Sequence, residues 1–309
     1  MNGGKSIAPG GEHPPGPGRT GPTRSKSADF ELLGLPLSFT KMSGTGNDFI
    51  VFDNRDGRFS GDEADFFAAV CRRRVSVGAD GVLLVERGRS VPVRMRYFNR
   101  DGGEASMCAN GARCAARYAF EKGFVSTAHF TLEASDGCHE VEVEPDNVRL
   151  RMGEPKGLRT GLGIVRDPGL REGGFLDTGV PHLVLFVDGT EELDRLDVEA
   201  LSPYYRRHPE FPQGTNVNFV CLRGKDSIGV RTFERGVEAE TLSCGTGCVA
   251  AALLASLRFE LASPVSVATK GGVLFVIFDP NWKDVRLSGT ADRVFEGTLV
   301  PAARRAQPG

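Results

Sequence analysis

An internal repeat limits the folds that are open to this chain. The segments Met95–Ala116 and Val230–Ala251 both run through a strand pattern, an aromatic residue, an arginine, a glycine-containing loop, a cysteine, small residues and an alanine-rich helix. The two cysteines, Cys108 and Cys244, are 136 residues apart. Because repetition of a whole unit is the mark of a duplicated fold, the sequence predicts two related domains.

Length and composition agree with a globular chain of this kind. The 309 residues are 40% hydrophobic and 25% charged, which is close to ordinary globular usage. The net charge of -2 disfavours a nucleic-acid-binding protein and a polybasic membrane binder. No apolar run is long enough to span a membrane, and the N-terminus lacks an apolar signal core. We therefore expect a cytoplasmic protein whose partner is a small molecule.

Seven scattered cysteines are an odd number, which is typical of reduced thiols and not of a disulfide framework. The spacings Cys108 to Cys114 and Cys244 to Cys248, with only five histidines in the chain, disfavour a structural metal site. The Gly44-Thr-Gly stretch is not followed by the residues of a phosphate-binding loop, and no dinucleotide fingerprint is present. We predict that the protein uses neither a metal nor a cofactor.

The hydrophobic patterns predict an α+β fold with many strands and few helices, and they do not fit a doubly wound sheet. Residues 1–36, rich in glycine and proline, predict a disordered extension, and 302–309 a disordered tail. The predicted helices are Glu63–Arg74, Ala109–Lys122 and Gly247–Arg258. The predicted strands begin with one near Leu35–Phe39 and continue with Phe49–Phe52, Gly81–Val85, Val93–Phe98, Phe130–Glu133, His139–Glu144, Val148–Met152, His182–Val187, Val217–Leu222, Ile228–Glu234, Val265–Thr269, Val273–Phe278 and Val285–Ser288.

Cys108 and Cys244 each stand at the N-terminal end of a predicted helix. Free N–H groups and the positive end of the helix dipole favour an anion there, so we expect the pKa of each thiol to fall from about 8.5 toward neutrality. If the two units face each other, the two thiols approach one small ligand from opposite sides. Such a pair is suited to inverting a stereocentre, because one thiolate can remove a Cα proton while the opposite thiol returns one.

Other residues near the repeat are suited to binding a small zwitterion. Glycines after each cysteine allow backbone N–H groups to approach a carboxylate. The polar side chains suited to clamping amino and carboxylate groups are Asn47, Asn99, Asn216, Glu234 and Arg235. Each of these has a plainer interpretation, such as a turn residue, the end of a loop or a solvated ion pair. The sequence pattern around His182 likewise does not decide between a structural and a catalytic histidine.

Several motifs resemble those of the diaminopimelate epimerases, members of a cofactor-independent superfamily of amino-acid racemases and epimerases. The resemblance extends over about 260 residues. It is carried by Phe39-Thr-Lys-Met-Ser-Gly-Thr-Gly-Asn47, Tyr97-Phe-Asn-Arg-Asp-Gly, Met107-Cys-Ala-Asn-Gly-Ala-Arg-Cys, Phe211-Pro-x-Gly-Thr-Asn216, Glu234-Arg-Gly with Ser-Cys244-Gly-Thr-Gly, and Leu287-Ser-Gly-Thr-Ala-Asp.

This resemblance implies two pseudosymmetric domains, each a β-barrel-like sheet wrapped round a central helix, with the active site in the cleft between them. The N-terminal domain would comprise residues 37–151, with residues 288–301 returning to it, and the C-terminal domain residues 152–287. The resemblance also implies a homodimer.

The reaction implied by the resemblance is the interconversion of LL-2,6-diaminopimelate and meso-2,6-diaminopimelate without pyridoxal phosphate, a step in lysine and peptidoglycan-precursor biosynthesis. Cys244 would accept the proton and Cys108 would donate one, while His182 and Glu234 would tune the thiols. The implied substrate-binding residues are Asn47, Asn99, Ala109, Asn110, Asn216, Glu234, Arg235, Gly245 and Thr246.

The chain departs from the family pattern at three positions and in the loop Gly236-Val-Glu-Ala-Glu-Thr, which has one residue more than in many members. Ala109 replaces a glycine, Val180 replaces the asparagine of Gly-Asn-Pro-His, and a glutamine that some members have is absent near Gly81. These changes leave the contacts to the distal carboxylate open. Substrate choice rests on side-chain contacts, which motifs alone fix poorly, so a racemase of another amino acid, such as histidine, also stays open. A thiol-disulfide redox protein is less favoured because no C-x-x-C pair is present, and a non-catalytic binding module would not need two matched thiols.

Overall fold

The computed structural model describes residues 36–105 and 107–300. The predicted N-terminal extension, up to residue 35, and the predicted C-terminal tail lie outside the described residues. The described part contains five helices: α1 (Ala64–Cys71), α2 (Ala109–Glu121), α3 (Thr190–Arg195), α4 (Val198–Arg206) and α5 (Gly245–Phe259). Its strands are β1 (Leu37–Gly44), β2 (Asn47–Asp53), β3 (Gly81–Glu86), β4 (Val93–Asn99), β5 (Glu104–Ala105), β6 (His129–Ala134), β7 (Gly137–Val143), β8 (Val148–Met152), β9 (Lys156–Arg159), β10 (Arg171–Asp177), β11 (Pro181–Phe186), β12 (Asn216–Gly224), β13 (Ser227–Glu234), β14 (Ala239–Thr241), β15 (Val265–Thr269), β16 (Gly272–Phe278), β17 (Val285–Gly289) and β18 (Asp292–Leu299).

The order of strand pairings is the same in the two halves of the chain. In the first half β1 and β2 are antiparallel, β2 and β3 parallel, β3 and β4 antiparallel, β4 and β6 parallel, and β6, β7 and β8 successively antiparallel. The second half repeats this series from β10 to β17. Helix α2 packs against the strands of the first half, and α5 against those of the second. The predicted α+β fold of two pseudosymmetric units, each a sheet around a helix, is confirmed.

Two strand pairings join the ends of these units. β17 pairs antiparallel with β8, so that Leu287 lies opposite Leu150. β18 pairs antiparallel with β1 and so carries the end of the described chain back to the first half. The division of the domains at residues 151 and 152 stays a prediction.

The two central helices are built from small residues that allow strands to surround them closely. Ala112, Ala115, Ala116 and Ala119 of α2 have no exposed surface. In α5 every residue from Gly247 to Ala255 is buried, which agrees with its continuous apolar sequence. Close packing around each helix holds its N-terminal cysteine in a fixed place.

Some elements were not predicted from the sequence. Helices α3 and α4 are short; α4 contains Pro203, and its first turn is capped by the side chain of Asp197. Strand β10 was missed because Gly173 and Gly174 interrupt its alternation, and its register with β11 shifts there. Strands β5, β9 and β14 have only two to four residues. β18 is mostly exposed on both faces and gives little periodic signal.

Candidate active site

Cys108 and Cys244 occupy equivalent positions as the N-cap residues of α2 and α5. Their backbone angles nearly coincide, with φ and ψ of -118° and 115° for Cys108 and -116° and 111° for Cys244. The sulfur of Cys108 accepts a hydrogen bond from the backbone N–H of Gly111 at 3.4 Å. This matched geometry is the structural counterpart of the repeat in the sequence.

The N-terminal ends of the two helices meet at one interface. The side-chain amide of Asn110 donates to the carbonyl of Ser243 at 3.1 Å, which joins the second residue after Cys108 to the residue before Cys244. A methyl group added at Gly245 would lie 2.9 Å from Cβ of Ala109. Glycine is therefore needed at this contact, and the structure brings the predicted residues Ala109, Asn110 and Gly245 together between the cysteines.

Asn47 lies beside Cys108. Thr45 and Gly46 both have positive φ and form the two-residue turn between β1 and β2, which places Asn47 at the first position of β2. Its side-chain carbonyl is 3.7 Å from Sγ of Cys108, and its Nδ2 donates to Oδ2 of Asp80 at 2.8 Å. Because Asp80 can only accept when ionised, it holds the Asn47 carbonyl toward the thiol. Sequence reasoning missed Asp80, whose only signal is its place directly before β3.

Thr246, His182 and Glu234 surround Cys244. Oγ1 of Thr246 is 3.5 Å from Sγ of Cys244 and 2.9 Å from Nε2 of His182. On another side, the Glu234 carboxylate is hydrogen-bonded by the Cys244 thiol and by the hydroxyl of Thr241. His182 is fully buried. Both residues that the resemblance assigned to tuning a thiol are therefore placed at Cys244.

The expected lowering of the thiol pKa values was wrong. Burial raises the pKa of Cys108 to about 11, and the N–H groups of Gly111 and Asn110 reduce this increase only partly. Burial also raises the pKa of Cys244 well above its ordinary value, and the negative charge of Glu234 adds to the effect. The free energy needed to remove a thiolate from water is larger than the stabilisation that one helix N-terminus gives it.

The neighbouring titratable groups are also shifted by burial. Burial, with a smaller contribution from the positive charge of Arg235, lowers the pKa of His182 to about 3, so the imidazole is neutral at physiological pH. Burial raises the pKa of Glu234, while the hydrogen bonds from Thr241 and Cys244 act in the opposite direction. A carboxylate with a raised pKa beside a thiol is suited to accept a proton from it.

The other predicted binding residues lie at or beside strand ends. Asn216 begins β12, donates to the carbonyl of Pro181 at 3.1 Å and accepts from the backbone N–H of Arg235 at 2.7 Å. The guanidinium of Arg235 donates to the carbonyl of Gln213 at 3.0 Å. Asn99 ends β4 opposite Gly81, and its side chain is exposed. Asn216 is thus occupied by protein contacts, whereas Asn99 is open to a ligand.

All seven cysteines are free. Among residues 36–105 and 107–300, no three His, Cys, Asp or Glu side chains are grouped so that they could hold a metal ion, and no helix is long and apolar enough to cross a membrane. The arrangement offers acid–base chemistry by two thiols and a carboxylate.

The sequence was compared with known families and proteins. The family model described as diaminopimelate epimerase matches residues 39–158 and 174–292. The chain belongs to the diaminopimelate epimerase family. The diaminopimelate epimerase of Archaeoglobus fulgidus is 42% identical over 279 residues, which cover 86% of this chain and 97% of that protein. That of Chlorobaculum tepidum is 43% identical over 264 residues, covering 84% and 100%.

Solved structures share the fold of this family member at low sequence identity. A PhzF-family phenazine biosynthesis protein of Bacillus anthracis superimposes with a TM-score of 0.68 at 17% identity, covering 86% of this chain and 99% of that chain. A hydroxyproline epimerase of Agrobacterium vitis gives 0.59 at 14% identity, covering 87% and 93%. These likenesses concern the two-unit fold and not the substrate.

The structure shows what surrounds Gly81, near which a glutamine of some family members is absent. A methyl group added there would lie 2.6 Å from Cε2 of Tyr97. The ring of Tyr97 therefore occupies space that a larger residue at position 81 would need. Val180 is half-buried in the turn before β11.

Arg113 is a buried residue of the site that sequence reasoning did not single out, although it stands in the Cys-Ala-Asn-Gly-Ala-Arg motif. Its Nη2 donates to Oγ1 of Thr45 at 2.9 Å and to Oδ1 of Asn110 at 3.0 Å, while Nε has no partner. No carboxylate is paired with it among the described residues. Its charge favours the thiolate of Cys108.

We expect Arg113→Met to move the ionisation of Cys108 to higher pH. Removing a nearby positive charge raises the pKa of a thiol, so at neutral pH less thiolate is present and alkylation of Cys108 by iodoacetamide should slow about threefold. Arg113→Lys keeps the positive charge, so its rate of Cys108 alkylation should stay closer to that of the unmodified protein. Equal alkylation rates in the methionine variant and the unmodified protein would show that the charge does not act on Cys108.

Proposed function

We propose that this protein interconverts LL-2,6-diaminopimelate and meso-2,6-diaminopimelate by a two-base mechanism that uses two cysteines and no cofactor. The observation that carries the proposal is the pair of cysteine N-caps with matching backbone angles at two helix ends that meet. The names of the relatives supply the substrate. The proposed mechanism requires that both reacting thiols face one stereocentre.

The proton transfers follow from the surroundings of each sulfur. Glu234, hydrogen-bonded by the Cys244 thiol, accepts the thiol proton, and the resulting thiolate removes the Cα proton of the LL isomer. The Cys108 thiol then donates its proton to the opposite face of the planar carbanion. The reaction ends with Cys244 as a thiol and Cys108 as a thiolate, which is the starting state for the reverse direction.

The raised thiol pKa values suit this reaction. A thiolate whose conjugate acid has a high pKa is a stronger base, which helps it to remove a weakly acidic Cα proton. The carbanion and the substrate carboxylate lie at two helix N-termini, where the N–H groups of Asn110 and Gly111 face inward from α2. Fixed dipoles of this kind stabilise developing negative charge without reorganising.

The substrate-binding set is part of the same proposal. Asn99, Arg235 and the backbone beside the cysteines would hold the reacting amino and carboxylate groups, and the distal group would lie toward Tyr97 and Gly81. Asn47 and Asn216 would line the site while being held by Asp80 and by Pro181 with Arg235. We also propose a cytoplasmic homodimer, which rests on the family resemblance.

Incubating the reduced protein with LL-diaminopimelate in D2O tests the function. We expect deuterium to replace the α-proton and the meso isomer to accumulate, because the proton returned to the opposite face comes from a thiol that exchanges with solvent. Proton NMR and chiral chromatography measure the two outcomes. Exchange and inversion of another amino acid, such as histidine, with none of diaminopimelate, would overturn the substrate assignment.

A further inference from the structure

A chain of hydrogen bonds leads from the core of the C-terminal half to the sulfur of Cys244. Nδ2 of Asn218, a buried residue on β12, is 3.1 Å from Nδ1 of His182. Nε2 of His182 is 2.9 Å from Oγ1 of Thr246, and that oxygen is 3.5 Å from Sγ of Cys244. These hydrogen bonds therefore connect three buried or half-buried polar side chains to one thiol.

The direction of these hydrogen bonds is set at Asn218. Its Nδ2 also donates to the carbonyl of Leu183 at 2.9 Å, and its Oδ1 accepts from the hydroxyl of Thr232 at 3.0 Å. A carbonyl cannot donate, so the Asn218 nitrogen must face Leu183 and His182. Nδ1 of His182 is consequently an acceptor, and the single proton of the neutral imidazole is on Nε2.

The proton on Nε2 determines what the hydroxyl of Thr246 can do. Because Nε2–H donates to Oγ1, the hydroxyl hydrogen is free to point at the sulfur of Cys244. A donated hydrogen bond favours the charged form of an acceptor. Cys108 has a different partner: the carbonyl oxygen of Asn47 accepts from its thiol.

The space around this chain is closely fitted. A methyl group added at Gly247 would lie 2.4 Å from Oδ1 of Asn218 and 3.2 Å from Cε1 of His182. Glycine at this position of α5 therefore lets the asparagine and the imidazole lie directly beneath the helix N-terminus. Asn218 lies two residues after Asn216 on one face of β12, and Gly247 follows Cys244 by one helical turn.

We propose that Asn218 is a positioning residue that fixes the tautomer of His182 and, through it, directs the hydroxyl of Thr246 to stabilise the thiolate of Cys244. This inference deepens the proposed function, on which it rests, because that function requires Cys244 to act as the base. It gives the side chain of Thr246 a role apart from any main-chain contact with substrate. The titratable and charged groups facing this end of the site are Glu234 from β13, Arg235 and, on α5 itself, Cys248.

The rate at which iodoacetamide alkylates Cys244, measured by peptide mass spectrometry over a range of pH, tests this proposal without substrate. Iodoacetamide reacts with the thiolate, so the rate follows its population. In Thr246→Val, which keeps the shape and removes the hydroxyl, alkylation of Cys244 should slow about tenfold. Thr246→Ser should restore most of the rate. Cys108 in the same molecules is the internal control and should react unchanged.

Asn218→Asp tests the tautomer. A carboxylate at this position accepts from Nδ1, which moves the imidazole proton away from Nε2, so Nε2 takes the hydroxyl hydrogen of Thr246 and the sulfur loses its donor. We expect Cys244 alkylation to slow by about the same factor as in Thr246→Val. If this variant does not fold, the Thr246 pair still decides whether the hydroxyl acts on the sulfur.

Several outcomes would overturn the proposal. An unchanged rate of Cys244 alkylation in Thr246→Val would show that the Thr246 hydroxyl does not stabilise the thiolate. A Thr246→Ser variant that is alkylated as slowly as Thr246→Val would show the same. Equal slowing at Cys108 would indicate a general structural effect. A folded Asn218→Asp variant with an unchanged rate of Cys244 alkylation would show that Asn218 is not a positioning residue for this thiol. Because no diaminopimelate is used, none of these results depends on whether the epimerase assignment is right.

Discussion

Cys108→Ala and Cys244→Ala should each lower the rate of diaminopimelate epimerisation by about a thousandfold or more, because each removes one of the two groups that carry a proton. The folded state should change little, since alanine is close to cysteine in size and each N-cap keeps its backbone. Steady-state epimerisation of both isomers and thermal unfolding measure the two effects.

Exchange of the substrate α-proton with solvent deuterium should distinguish Cys108→Ala from Cys244→Ala. With Cys108 absent, the Cys244 thiolate can still remove and return the α-proton of the LL isomer, so deuterium enters without inversion. With Cys244 absent, such exchange should be confined to the isomer that faces Cys108. The exposed Cys138 supplies the control, and Cys138→Ala should behave as the unmodified protein. Inversion at a normal rate in either active-site variant would contradict the two-base mechanism.

Gly247→Ala should destabilise the protein by about 2 kcal/mol and lower activity at least about tenfold. Alanine is ordinarily better than glycine inside a helix by about 1 kcal/mol. Here the added methyl group would lie 2.4 Å from Oδ1 of Asn218, and that side chain cannot move without breaking the buried hydrogen bonds that hold it. Thermal unfolding and epimerase assays measure the loss, with Tm expected to fall by several degrees.

Gly153→Ala is the matched control for this substitution. A methyl group at Gly153 meets nothing within 4 Å, and its φ is not in the left-handed region. The control should be neutral in Tm and activity. If Gly247→Ala were as stable and active as Gly153→Ala, the close fit of Asn218 and His182 beneath α5 would not matter to the enzyme.

The internal repeat was enough to predict the duplicated α+β architecture, because each copy carries its own strand, loop, cysteine and helix signals. Most strands were predicted from alternating or continuous apolar residues, and α2 and α5 from their alanine-rich runs. The elements that were missed had weak local signals: the glycines of β10, the exposed β18 and the two short helices α3 and α4. Their formation depends on pairing or packing with residues distant in sequence.

The candidate site divides in a similar way. Asn47, Asn216 and the two cysteines could be named from motifs, and Asn218 could have been found from its spacing of two from Asn216 on a strand. Arg113 stands in one of these motifs but was not singled out, and Asp80 had only its place directly before β3, because the importance of both residues lies in which atoms they hold. The direction of the thiol pKa shift was predicted wrongly for the same reason: helix position is local, whereas burial is decided by every element around the sulfur.

Two equivalent helix N-termini that each carry a cysteine, in a chain folded as two copies of one unit, could be predicted from the amino-acid order alone. Three further features depend on how the two copies pack: these termini meet at Asn110 and Ser243, burial raises the pKa of both thiols, and Asn218 orients His182 toward Thr246. Local patterns specify elements through backbone preference and amphipathicity. Desolvation and hydrogen-bond direction arise from contacts between residues far apart in the chain, which no local pattern contains.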